Sequence, residues 1–281
     1  MSKLQLRGVR KAYGATVALG RGDMELERGE VHVLIGSNGS GKSTLCKIVA
    51  GSVRPDGGEV LIDGHAMEFS GPHEARKAGI GIFYQELSLA AHRTVAENIC
   101  LAALPARGGV FVDRMKVAET ARRYANLFAE VAGNGFSLDA TVESLRADQR
   151  QLVEIMKTLA TEAPILIFDE PTSALDRAQV DCFFGILRRL KEEGRSIIFI
   201  SHRMDEIFAI GDRVTVMRDG ETIETDRIAD TDHDAIIRRM VGEKGELAPP
   251  AEAANETASQ GGRVILKVED FSGPGFANIG F

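Results

Sequence analysis

Three kinds of feature are scarce in this chain. Cysteine occurs only at Cys46, Cys100 and Cys182. The three are scattered, without the spacing of a metal site or a disulfide framework, so the sequence predicts reduced, buried thiols in a cytosolic compartment. No apolar run approaches the ~20 residues of a membrane-spanning helix, and the first residues lack a secretory pattern. A membrane role is therefore expected to come through a partner. Basic residues are outnumbered, 34 Lys and Arg against 41 Asp and Glu, for a net charge of −7. That balance offers no footprint for nucleic acid. What is present, 281 residues with 44% apolar and 27% charged, is ordinary for a globular protein and enough for one large domain or two small ones.

Gly36-Ser37-Asn38-Gly39-Ser40-Gly41-Lys42-Ser43-Thr44 fits the phosphate-binding loop G-x-x-x-x-G-K-[ST]. The run from Glu30 to Ile35 before it reads as a buried strand. Leu45 to Ala50 after it reads as the first turns of a helix, the context the motif requires. Glycines let successive N–H groups turn inward on phosphate oxygens, and a helix starting near Lys42 aims its positive end at the same anion. Lys42 would supply charge to the β- and γ-phosphates and Ser43 a hydroxyl to Mg²⁺. A Gly/Ser-rich surface turn is the plain alternative. The flanking strand and helix favour a nucleoside triphosphate with magnesium.

Alternation around Leu4, Leu6 and Val9, and again around Met24 and Leu26, predicts strands packed on one face. Residues 57–70 repeat the pattern, with Asp63-Gly64 as a hairpin signal. Residues 94–160 have helical spacing, as in Ala118 to Val131, and read as a helical insert. Ile165 to Phe168 is a continuous apolar run ending in Asp169-Glu170, the mark of a strand covered on both faces. A helix (about 178–193), a strand (Ser196 to Ile200), a helix (about 203–210), strands at 213–218 and 221–225 and a last helix to about Val241 complete an open, largely parallel sheet.

Residues 243–262 are Ala-, Glu- and Pro-rich, with Leu247 the only large apolar residue, and read as a flexible linker. Beyond them Leu266, Val268 and Phe271 repeat the spacing of Leu4, Leu6 and Val9. The expectation is one complete unit followed by the first strands of a second, truncated copy. A divergent tail is the alternative.

In a protein with a phosphate loop, a strand-end Asp169 orients Mg²⁺ and the adjacent Glu170 can act as general base on the attacking water. A solvated acidic strand end before a proline turn is the competing reading.

Gly36–Thr44, Gln85, Phe168-Asp169-Glu170-Pro171-Thr172, Ser173-Ala174-Leu175-Asp176 and Ser201-His202 occur in the order found in ATP-binding cassette (ABC) ATPases, and residues 3–242 resemble that family. The resemblance implies an α/β P-loop NTPase (RecA-like) core with an antiparallel β-subdomain and an inserted helical subdomain (about 86–160). It implies ATP and Mg²⁺ as ligands. Tyr13 matches the aromatic that stacks on adenine, and Gln85 the glutamine that reaches metal and attacking water. His202 matches the switch histidine at the γ-phosphate, and Asp176 the loop that crosses to the other nucleotide-binding half. Catalytic roles fall to Lys42, Gln85, Glu170 and His202, metal contacts to Ser43, Gln85 and Asp169.

One motif departs. Leu145-Arg146-Ala147-Asp148-Gln149 stands where the family carries L-S-x-G-Q, whose Ser and Gly reach the γ-phosphate on the opposite loop. Asp148 would put a carboxylate near the triphosphate. Locally, Asp148 with Gln151 fits an N-cap pair for a helix to about Ala160. Arg146 could contact phosphate instead.

Ile82–Leu87, Thr94–Ile99, Val153–Lys157 and Met240-Val241-Gly242 look like the monosaccharide importer ATPases of the ribose, galactose and xylose type, which fuse two cassettes in one polypeptide. That resemblance implies ATP hydrolysis driving import of a small sugar, at the cytoplasmic face of the inner membrane. The partners would be permease subunits, a second cassette of the same polypeptide and, indirectly, a periplasmic or lipid-anchored substrate-binding protein. Rivals are a nucleoside importer ATPase of the same architecture, a soluble non-transport ABC ATPase, and a nucleotide-binding module with little hydrolysis.

Overall fold

Alternation in the first residues produces two long paired strands, β1 (Ser2–Tyr13) and β2 (Thr16–Glu27). Leu4 stands opposite Leu26 and Leu6 opposite Met24, and all four are buried. The computed structural model describes residues 2–107, 111–242, 271–273 and 276–279. It divides into two units, Met1–Glu243 and Lys244–Phe281. The linker expected at 243–262, and Leu266 and Val268 beyond it, lie outside the described residues. The second unit contributes a short hairpin, Phe271–Gly273 against Phe276–Ile279.

In the first unit, β3 (Val31–Gly36) is buried at every position and runs straight into the glycine-rich loop and α1 (Lys42–Val49). Then come β4 (Gly57–Ile62) and β5 (His65–Ala66), joined through Asp63 and Gly64 at φ +48° and +80°, the left-handed pair a two-residue hairpin demands. Next are α2 (Pro72–Lys77) and β6 (Ile80–Phe83). The insert follows with α3 (Val95–Cys100), a short hairpin of β7 (Ala106–Arg107) and β8 (Phe111–Val112), α4 (Arg114–Asn126) and α5 (Ala147–Leu159). The chain returns through β9 (Ile165–Asp169), α6 (Arg177–Glu192), β10 (Ser196–Ile200), α7 (Met204–Ile210), β11 (Arg213–Arg218), β12 (Glu221–Arg227) and α8 (His233–Val241).

Ten strands form one sheet in the order β5-β4-β1-β2-β12-β11-β3-β10-β9-β6. It is mixed rather than largely parallel. The segment β11-β3-β10-β9-β6 is parallel, while β12, β2, β1, β4 and β5 reach it through antiparallel pairs and a single parallel bridge, Glu221 to Arg21. The expected core, antiparallel part and helical insert are all present.

Phenylalanines fix the parallel half. Phe168 of β9 meets Phe183 of α6 edge to face at 5.2 Å, and Phe199 of β10 meets Phe184 the same way at 5.8 Å. Such pairs add about 0.5–1.5 kcal/mol each beyond the area they bury. They hold β9 and β10 at a fixed height against one helix, which sets the level at which both strands end. Of the three thiols, Cys46 and Cys100 are buried as expected, but Cys182 is only partly so, because it lies on the flank of α6 facing Leu127.

Candidate functional site

The parallel register brings five strand ends to one edge. Ile200 pairs with Asp169 and with Leu34, Phe83 with Phe168, and Gly36 with Met217. Side chains just past these ends must therefore meet, at the place where open α/β sheets take their ligands.

The glycine-rich loop is shaped by close packing. A side chain at Gly36 would strike the Met217 carbonyl oxygen and the Ser40 hydroxyl. Gly41 sits at φ +98°, and a Cβ there would lie 2.9 Å from the Ala18 carbonyl of β2. Only glycine fits both the conformation and the contact. Lys42 Nζ donates to the Gly36 and Ser37 carbonyls at 2.7 and 2.9 Å and to the Ser40 hydroxyl at 3.3 Å. Burial holds its ammonium below the usual lysine range, against the opposing pull of Asp169 and Glu170. Ser37, Asn38 and Gly39 are exposed at the loop tip; Ser43 and Thr44 are half-buried in the first turn of α1.

Burial pushes the Asp169 carboxyl above the ordinary range; a bond to the Ser43 side chain opposes this, Glu170 adds to it and Lys42 opposes it. Ser43 and Asp169 thus present two hard oxygens side by side. Among the described residues no cluster of three His, Cys, Asp or Glu side chains could hold a metal alone. This donor set suits Mg²⁺, which prefers one or two protein oxygens and takes the rest from phosphate and water.

Glu170 is the centre of the remaining contacts. Its backbone N–H donates to Ile200 O at 3.0 Å, which hangs it on β10. Its φ of +52° is strained for a residue with a side chain. That turn aims the carboxylate between two groups: His202 Nδ1 lies 3.3 Å from Oε1, and Gln85 Nε2 donates to Oε2 at 3.4 Å. The structure thus gathers Lys42, Ser43, Gln85, Asp169, Glu170 and His202. Tyr13 stands apart at the β1–β2 turn, half-exposed, with the Lys11 ammonium 5.6 Å over its ring. Asp176 caps α6 by accepting from Gln179 N at 2.9 Å.

The start of α5 differs from expectation. Arg146, not Asp148, is the N-cap, and its N–H donates to Gln149 Oε1 at 3.2 Å. Gln149 is anchored in turn to Ala132 O at 3.0 Å. Asp148 falls in the first helical turn and is fully engaged. Arg146 grips it with two parallel bonds, 3.0 and 2.8 Å, and Gln179 adds a third at 3.0 Å. The Arg146 bond is the main reason its carboxyl sits down at about 2. The carboxylate is thus neutralised within the chain, and the Arg146 guanidinium, the alternative phosphate contact, is already used on Asp148. Gln151, expected to partner Asp148, instead donates to Pro171 O at 2.8 Å, tying α5 to the loop after Glu170.

Sequence reasoning also missed how the Gln85 loop is held. Ser88 donates to Glu154 and accepts from Lys157 at 2.7 Å, a buried ion pair on α5. Glu154 and Lys157 stood in the motif Val153–Lys157, but nothing local marked their target.

The family model described as ABC transporter matches residues 19–173, more than half of the chain. The chain belongs to the ABC transporter family. Among ABC relatives, it is 43% identical to a ribose import ATP-binding protein of Rubrobacter xylanophilus, over 96% of this chain and 52% of that protein. It is likewise 43% identical to a ribose import ATP-binding protein of Chromobacterium violaceum, over 99% and 54%. The chain spans about half the length of the curated relatives it matches. A dimeric bacterial ABC transporter cassette superposes with TM-score 0.71 at 27% identity, covering 80% of this chain and 98% of that one. A nucleotide-free cassette of an ABC transporter superposes with TM-score 0.70 at 24% identity and shares the fold.

Proposed function

We propose that residues 1–242 form an ATP-binding and ATP-hydrolysing cassette that powers import of a small sugar through a membrane permease. The observation that carries the hydrolytic part is the Glu170 carboxylate, set between Gln85 and His202 beside Lys42, Ser43 and Asp169. Relatives named for ribose import support the sugar. The cytoplasmic face of the membrane follows from the same reading. So do permease subunits, a substrate-binding protein and a second cassette that begins in 263–281 after a linker at 243–262.

In this reading the loop Gly36–Thr44 cradles the triphosphate and Lys42 leaves the Gly36 and Ser37 carbonyls for phosphate oxygens. Tyr13 faces the base. Ser43, Gln85 and Asp169 would hold Mg²⁺, whose charge would offset that of the phosphates. Glu170 takes the proton of the attacking water, and His202 and Gln85 hold that carboxylate and the water in line. Leu101 and Leu104 on the insert are about half exposed and offer apolar contact to a permease, which could pass motion to the Gln85 loop.

The closed set Arg146–Asp148–Gln179 supports a narrower second reading for one face. This chain's own Leu145–Gln149 segment contributes little to a triphosphate on an opposing cassette, so turnover is carried by the loop at Gly36–Thr44.

Glu170→Gln tests the proposal. Bound ATP should be retained within a few-fold, measured by fluorescent nucleotide titration, while phosphate release falls by about 10²–10⁴-fold. Turnover at the wild-type rate would refute the role of Glu170.

A further inference from the structure

Glu206 lies in the first turn of α7 and is 2% exposed. Nothing in the hydrolytic scheme uses it, yet its contacts run to both halves of that scheme. Oε2 accepts from the Thr172 hydroxyl at 2.9 Å and from the Ser201 hydroxyl at 2.7 Å. Both hydroxyl residues are buried. Oε1 lies 2.9 Å from the Arg203 guanidinium. Ser201 Oγ in turn accepts from the Arg203 backbone N–H at 3.1 Å.

His202 stands between Ser201 and Arg203, so both its chain neighbours are tied to one carboxylate. Thr172 stands two residues after Glu170. The His202 side chain is 67% exposed, and among the described residues Glu170 is the one carboxylate within ion-pair distance of it. An imidazole so exposed is held only weakly by its own packing. Its position is inherited from the backbone on either side.

We propose that Glu206 is a positioning residue, a buried carboxylate that clamps the loop after β9 to the loop after β10 and so keeps His202 against Glu170. The inference rests on the reading of Glu170 and His202 as the hydrolytic pair. Its chemistry is specific. One oxygen satisfies two hydroxyl donors from the loops after two different strands, while the other faces the Arg203 guanidinium at ion-pair distance without a hydrogen bond. Loss of the acceptor leaves two buried hydroxyls to find new partners, and the two loops move independently. A small misplacement of a group at a reacting centre costs up to about 10²-fold in rate.

The test is a double-mutant cycle on the full chain with Glu206→Ala, His202→Ala and the pair, with Glu206→Gln as the isosteric variant that spares the packing. ATP turnover and nucleotide affinity are measured for each. The expected result is a fall in kcat of about 10- to 100-fold for Glu206→Ala. KM should stay within about three-fold, and no further loss should appear when His202 is already alanine. Glu206→Gln, which keeps one acceptor oxygen, should lie between wild type and Glu206→Ala. Amide exchange at Arg203 should quicken in Glu206→Ala while that of the glycine-rich loop stays as in wild type. Losses that multiply in the double variant, or kcat unchanged beside a lowered melting point, would overturn the placement of Glu206. A wild-type chain that binds ATP and never turns it over would overturn the hydrolytic reading instead, and the exchange result would then stand by itself.

Discussion

Replacing Glu170 by glycine should destroy turnover without destabilising the fold. Glu170 holds φ at +52°, a left-handed conformation that costs an L-residue roughly 1–2 kcal/mol. Its side-chain contacts, 3.3 and 3.4 Å, are long and return little stability. Glycine removes the strain but costs roughly 0.5–1 kcal/mol in unfolded-chain entropy. The balance lies between about 0 and +1.5 kcal/mol in favour of the variant. For a unit of this size about 1 kcal/mol moves the melting temperature by roughly 2–4 °C. Thermal unfolding without nucleotide should thus show a midpoint equal to wild type or up to about 6 °C higher. Phosphate release should fall by at least about 10²-fold. A midpoint lowered by more than about 3 °C would mean that Glu170 stabilises the fold, and the argument that strain is kept for function would fail.

Two further outcomes test the site's construction. Gly36→Ala drives a Cβ onto the Met217 carbonyl and the Ser40 hydroxyl, and overpacking of that kind costs about 1–3 kcal/mol; the melting point should drop by several degrees, and an unchanged midpoint would count against the close β3–β11 approach. The Asp148 carboxyl is lowered from 3.8 to about 2 in the folded chain, so its share of stability is complete above about pH 4 and is lost as pH falls through about 2. Because the pair is partly exposed that share is small, about 0.2–1 kcal/mol. Asp148→Asn should melt about 1–3 °C below wild type at pH 6, and the gap should close near pH 2; a gap that is constant with pH would show that the Arg146 bond carries no charge-dependent stability.

The elements of the site were legible because each is a local pattern. Gly36–Thr44 between a buried strand and a helix, Asp169-Glu170 at the end of an apolar run, and the turn at Asp63-Gly64 are fixed by side-chain periodicity and by the few residues that tolerate positive φ. The start of α5 was misread because Asp148 followed by Gln151 has the local form of a cap. The competing partners, Gln179 for Asp148 and Pro171 for Gln151, lie on other elements and leave no trace in a short window.

Local patterns along the chain suffice to mark its strands and helices and a phosphate loop with an acidic strand end downstream. Tertiary structure alone decided that β3, β10 and β9 lie side by side, which turns residues far apart in the chain into neighbours at one edge. It also decided that Asp148 is consumed by Arg146 and Gln179, and that Glu206 takes Thr172 and Ser201 at once. Helical and strand patterns are set by interactions within a few residues, whereas the partner of a buried carboxylate is chosen by whichever donor the packed sheet delivers to it.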